Sequence, residues 1–141
     1  MSKVAVVFWS GTGNTEAMAN AVAEGVKAAG GEAVLLGAGD FNADAVASYD
    51  AFAFGCPAMG AEVLEEDEFQ PMWNGVKAAL SGKKIALFGS YGWGDGEWMR
   101  NWEEDAKAAG AALAADSVMA NEAPDDDALN ACKALGEALA K

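Results

Sequence analysis

Apolar and polar positions along the chain follow two alternating patterns. Wholly apolar runs occur at Val4–Trp9, Ala33–Leu36, Ala51–Gly55 and Ile85–Gly89, with a weaker fifth among Ala111–Ala120. Continuous short runs of this kind read as strands buried on both faces. Between them, apolar residues recur at helical spacing. Ala19, Val22, Val26 and Ala29 form one such face, in a helix that begins near Thr15 and stops at Gly30-Gly31. A short helix is predicted within Phe41 to Ser48. A further helix buries Phe69, Met72, Trp73, Val76 and Leu80, with Pro71 tolerable in its first turn. Met99, Trp102, Ala106 and Ala109 precede Gly110 in the next, and Ala128, Cys132, Leu135 and Leu139 define the last. The fifth strand is the weakest assignment, because the alanines of Ala108–Ala115 favour helix.

Strict strand–helix alternation with fully apolar strands implies an α/β fold whose parallel sheet is covered on both faces. Five strands in 141 residues fit the doubly wound strand order 2-1-3-4-5 and one domain spanning 1–141. Ligands of such sheets sit beyond the carboxyl ends of the strands, at the switch point between the first and third.

The loop after the first strand reads Ser10-Gly11-Thr12-Gly13-Asn14-Thr15. A glycine- and hydroxyl-rich loop between a strand and a helix N-terminus can cradle phosphate on backbone N–H groups. It contains no Lys or Arg, so a phosphate would rest on amides and on the hydroxyls of Ser10, Thr12 and Thr15. The P-loop signature fails for want of its lysine. The dinucleotide fingerprint fails because Glu16 stands at its third glycine. A Cys-x5-Arg phosphatase loop fails because Glu62 lies six residues after Cys56. The remaining alternative is a strand–helix turn without a ligand. The loops after the third and fourth strands run through Cys56-Pro57-Ala58-Met59-Gly60-Ala61-Glu62 and Ser90-Tyr91-Gly92-Trp93-Gly94-Asp95-Gly96. Each sets one large polarisable side chain, Met59 or Trp93, among small residues. Either alone is ordinary packing; together they outline two walls for a flat ring.

Composition narrows the chemistry. The formal charge is −13, from 22 acidic and 9 basic residues. Nucleic acid and anionic membrane both need a basic footprint and are disfavoured as partners. A basic protein surface, reached by electrostatic steering, is favoured. There is no histidine, which excludes Ser-His and Cys-His nucleophiles and His-based metal sites. Cys56 and Cys132, on a strand end and a helix, read as buried thiols rather than a disulfide. No secretory leader and no apolar stretch long enough to span a membrane is evident, so a cytoplasmic location is expected. Trp9, Trp73 and Trp102 fall in strand or helix patterns and are expected in the core, whereas Trp98 fits either the core or an edge of the site.

Ser10 to Thr15, Met59-Gly60-x-Glu62 and Ser90 to Gly96 closely resemble, in order, the three FMN-binding loops of short-chain flavodoxins. The likeness is nearest to the type of anaerobic clostridia and spans essentially the whole chain. It implies a flavodoxin-like three-layer sandwich with a five-stranded parallel sheet. It also implies a non-covalently bound FMN, with phosphate on Ser10, Gly11, Thr12, Gly13, Asn14 and Thr15. The other binding residues implied are Pro57, Ala58, Met59, Gly60, Ala61, Glu62, Ser90, Tyr91, Gly92, Trp93 and Gly94. The isoalloxazine would lie between Met59 and Trp93, Glu62 would accept from N3–H, and the Gly60 carbonyl would turn to N5–H on one-electron reduction. Several relatives carry Asp or another polar residue where this chain has Ala61.

The resemblance implies a low-potential one-electron carrier shuttling between semiquinone and hydroquinone, without a substrate of its own. Its partners would be redox proteins that dock transiently through basic surfaces on a monomeric carrier. Glu65, Glu66, Asp67, Glu68, Asp95 and Glu97 crowd the two ring loops. A unit charge about 10 Å away at an effective dielectric of about 40 contributes roughly 0.8 kcal/mol. Several such charges would disfavour an anionic reduced flavin by on the order of 100 mV. The run Glu65–Glu68 also suits a solvated helix N-terminus. The competing function on this fold is an FMN-dependent NAD(P)H oxidoreductase, which needs room over the flavin and usually a basic group for the dinucleotide. A receiver domain would need acidic residues where this chain has Ser10 and Cys56.

Overall fold

The structure is a computed structural model and describes residues 2–11, 13–59, 63–92 and 96–140. Strands β1 (Lys3–Phe8), β2 (Glu32–Gly37), β3 (Ala51–Gly55) and β4 (Lys84–Tyr91) pair in parallel in the order β2-β1-β3-β4. Helices α1 (Asn14–Ala28), α2 (Phe69–Val76), α3 (Glu97–Ala108) and α4 (Asp126–Ala140) make the crossovers and the C-terminal layer. The fifth position is shared by two short strands, β5 (Ala112–Leu113) and β6 (Val118–Asn121), both parallel to β4. The partner offset grows from 28 at Lys84/Ala112 to 30 at Phe88/Val118, so two extra residues leave the ladder between them. The weak sequence signal there has a physical cause: the polar pair Asp116-Ser117 interrupts the strand, and Ser117 Oγ donates to Glu103 Oε2 at 2.8 Å.

Alternate strand residues serve two cores. Ala5, Val7, Phe52, Phe54, Ile85 and Leu87 meet α2 and α3 through Phe69, Trp73, Trp98 and Trp102. Val4, Val6, Ala51, Ala53, Ala86 and Phe88 meet α1 and α4 through Met18, Val22, Cys132 and Leu135. The first face is aromatic: Trp73 meets Phe54 and Trp102 edge-on at 5.3 and 5.8 Å. The second is largely aliphatic, and α1 and α4 approach closely where Gly25 and Gly136 face the opposite backbone.

Three expectations change in detail. The segment Phe41 to Ser48 forms a 3-10 turn at Ala43–Ser48 rather than an α-helix, and another 3-10 turn, Ala38–Asp40, precedes the buried Phe41. Asn42 Oδ1 accepts from the Ala45 N–H at 3.2 Å and starts the Ala43–Ser48 turn. The α2 pattern runs on to Leu80 as a 3-10 turn, Lys77–Leu80. Ala29, grouped in the sequence with the buried face of α1, lies exposed at the helix end.

Candidate functional site

The carboxyl ends of β1, β3 and β4 open into one cleft of about 360 Å³. Trp9 and Gly11 border it from the β1 loop, Pro57, Ala58 and Met59 from the β3 loop, and Ser90, Tyr91 and Gly92 from the end of β4. Asn14, at the start of α1, also faces it. Thus three loops chosen from sequence converge on one space. Thr12, Gly60, Ala61, Glu62, Trp93 and Gly94 lie outside the described residues, as does Asp95.

The β1 loop is held by its own hydroxyls. Ser10 Oγ accepts from the Gly13 N–H at 3.1 Å and the Glu16 N–H at 3.3 Å. Thr15, in the first turn of α1, is buried and pairs with Ser90 of β4, Oγ1 to Oγ, at 3.1 Å. The pair ties the β1 loop to the β4 end. Gly13 sits at φ +92°, a left-handed turn that suits glycine.

The β3 loop is fixed at both ends. Ala58 N–H donates to Ser90 O at 3.0 Å, and Met59 and Val63 exchange backbone hydrogen bonds of 2.9 and 3.0 Å. Behind it, Glu65 is only 5% exposed. Its carboxylate accepts from the N–H groups of Asp67, Glu68 and Phe69, each at 2.8 Å, and so caps the start of α2. Burial pushes its pKa up, but the amide bonds from Phe69, Glu68 and Asp67 outweigh that and hold it below the usual carboxylate value. Of the acidic run, only Glu66, Asp67 and Glu68 are solvent-exposed, so the solvated-face reading fails for Glu65.

Cys56, at the exit of β3, is buried, and burial raises its pKa to about 12. It serves as scaffolding: Sγ accepts from the Glu65 N–H at 3.3 Å, and its carbonyl accepts from Trp98 Nε1 at 3.2 Å. Cys132 is likewise a free, buried thiol, with a pKa raised to about 12 by burial. Trp98 is 2% exposed and its ring lies 5.5 Å from Tyr91, so it is a core residue that underpins the cleft. Gly89 is required there, since a Cβ would fall 2.2 Å from the Cys56 carbonyl oxygen.

Two cleft residues escaped the sequence reading. The strand pattern places Trp9 in the core with Trp73 and Trp102, but of the three only Trp73 and Trp102 are buried. Trp9 lies past the end of β1, half-buried, and its ring would be 3.0 Å from a Cβ on Gly11. The available signal was its place as the last apolar residue of a strand whose carboxyl end faces the ligand side. Glu122 enters from the turn after β6 at φ +57°, held by its N–H donating to Tyr91 O at 2.7 Å. A non-glycine residue in that region is uncommon and costs on the order of 1 kcal/mol.

The cleft has a flat aromatic wall, a thioether, neutral hydroxyl and amide groups, the Glu122 carboxylate, and a volume in the range of small-molecule sites. This composition fits FMN, a flat ring on a polar, phosphorylated tail. Fold and cleft define a doubly wound α/β protein with an open cleft at its switch point. The family model described as Flavodoxin matches residues 6–136. The flavodoxin of Megasphaera elsdenii is 49% identical over 138 residues, covering 98% of both chains. That of Clostridium beijerinckii is 43% identical, over 96% of this chain and 97% of its own. The solution structure of the two-electron reduced Megasphaera elsdenii flavodoxin superposes with a TM-score of 0.90 at 48% identity, covering 97% of this chain and 98% of that one. The chain belongs to the flavodoxin family: electron-transfer proteins, rather than enzymes, that bind FMN. Among the described residues, no helix is long and apolar enough to cross a membrane.

Proposed function

We propose that this chain is a low-potential, one-electron carrier, a single monomeric domain working in the cytoplasm. FMN supplies the redox chemistry, cycling between semiquinone and hydroquinone. The phosphate is assigned to Ser10, Gly11, Thr12, Gly13, Asn14 and Thr15, without a countercharge. The ring is assigned to Pro57, Ala58, Met59, Gly60, Ala61 and Glu62 on one side and Ser90, Tyr91, Gly92, Trp93 and Gly94 on the other. Trp9 joins them as a further apolar wall. The observation that carries the reading is the convergence of the β1, β3 and β4 loops on one cleft at the switch point.

The acidic surface supports the electrostatic part. With a net charge of −13 and Glu66, Asp67 and Glu68 exposed beside the Met59 loop, basic faces of redox partners are attracted and an anionic reduced flavin is disfavoured. Met59 and Val63 exchange backbone hydrogen bonds; between them in sequence stands Gly60, whose carbonyl is to accept from the flavin N5–H in a type II turn. Positive φ at Ala61 would strain that turn, so Ala61→Gly should raise the first one-electron potential by about 40 mV per kcal/mol relieved.

Reconstitution and potentiometry test the reading. FMN should bind far more tightly than riboflavin, and titration should show two separated one-electron steps. Equal affinity for the two flavins would remove the phosphate assignment. Partner reduction should slow as ionic strength rises, and neutralising Glu66, Asp67 and Glu68 should blunt that slope. Rates indifferent to salt would argue for apolar docking.

A further inference from the structure

A second, larger cavity lies beyond the cofactor cleft, at the sheet edge. It is a groove of about 690 Å³ between β6 and α4. Its floor is apolar, with Val118 from β6 and Ala128, Ala131 and Leu135 from α4. Alanine at two of these helix positions makes the depression. Asp116, Asp125 and Asp127 stand at its rim, all exposed, and among the described residues that line it none is Lys or Arg. Among the described residues β6 pairs with β4 alone, and Met119 on it is 43% exposed.

The groove and the cofactor cleft meet neighbouring residues at the end of β6. Asn121 borders the groove, and the next residue, Glu122, borders the cleft. Whatever occupies the groove therefore stands beside the cofactor. The acidic rim selects the occupant. A second copy of this chain would set like charges face to face, and anionic lipid or nucleic acid would be repelled. A protein face with an apolar centre ringed by Lys or Arg matches both floor and rim.

We propose that the β6–α4 groove is a docking surface for basic redox partner proteins, guiding them to the cofactor cleft from the sheet edge. This rests on the electron-carrier reading. The partner's apolar centre covers Val118, Ala131 and Leu135, and its cations meet Asp116 and Asp127. Asp125 has a second duty, since its Oδ1 accepts from the Ala128 N–H at 2.8 Å and caps α4. It is left unaltered in the test.

The test uses the FMN-loaded protein with a lysine-rich c-type cytochrome as probe. Amide shifts mapped during titration should include residues 118–121 and 127–135. The double variant Asp116→Asn/Asp127→Asn should reduce the cytochrome about three- to tenfold more slowly at low ionic strength, and equally fast at high ionic strength. Ala131→Trp, which fills the groove, should be slower at both. Shifts confined to the cofactor cleft, with groove variants as fast as the parent while Glu66→Gln/Glu68→Gln is slowed, would overturn the groove and leave the carrier reading standing. No slowing in any of these variants would overturn charge-guided docking altogether. FMN affinity, measured by flavin fluorescence quenching, reports separately on the cofactor site.

Discussion

Thr15 and Ser90, 75 positions apart in the chain, share a buried hydroxyl–hydroxyl hydrogen bond of 3.1 Å. The bond joins the first turn of α1 to the end of β4 and sets the spacing between the proposed phosphate loop and one ring loop. Replacing one partner leaves a buried hydroxyl unpaired, which costs about 1–3 kcal/mol. Thr15→Val and Ser90→Ala should each destabilise by that amount. The double variant should cost less than the sum of the two. Urea unfolding of the three variants measures the coupling, and additive losses would mean the bond is not made in solution.

Glu65 gives the acid limb of the stability curve a specific source. Its folded pKa is depressed, so its contribution is fully present above the unfolded Glu value of about 4.3 and is lost as pH falls through the folded pKa. Glu65→Gln should cost about 1–3 kcal/mol at neutral pH, where three N–H groups lose an ionised acceptor. The same variant should flatten the loss of stability between neutrality and low pH. Urea unfolding across that range distinguishes Glu65 from the exposed carboxylates of the run.

The packing of α1 on α4 depends on two glycines. A Cβ at Gly136 would lie 2.0 Å from the Val22 carbonyl oxygen, and one at Gly25 would lie 1.9 Å from that of Lys133. Gly136→Ala must separate the helices and should destabilise by about 1–3 kcal/mol, despite alanine's better helix propensity. Thermal unfolding followed by circular dichroism reads this out. A stabilised Gly136→Ala would show that the helices sit farther apart.

Glu122 sets a carboxylate at the cleft on a strained backbone. Glu122→Gln should raise the potential of the more reducing couple by about 35 mV, the effect of one charge some 10 Å away. Glu122→Gly should do the same and also stabilise the fold by roughly 1 kcal/mol. Potentiometry and urea unfolding of the pair separate charge from strain, since only the glycine variant gains stability.

Much was determined by local pattern. The apolar runs marked the strands because residues buried on both faces of a parallel sheet must be apolar at every position. The helices followed from their spacing, and the three loops from glycine, hydroxyl and aromatic chemistry at strand ends. What only the tertiary structure decided are meetings between distant residues. The break between β5 and β6 is a register shift against β4, which propensity does not encode. Glu65 looks like its acidic neighbours in sequence, yet it alone turns inward, because α2 starts where three amides can bind it. Trp9 reads as the last residue of a buried strand, yet the strand ends one residue earlier and leaves its ring at the cleft. Whether a side chain lies in a core or at a site depends on what the rest of the chain brings beside it, and that is settled only when the sheet is assembled.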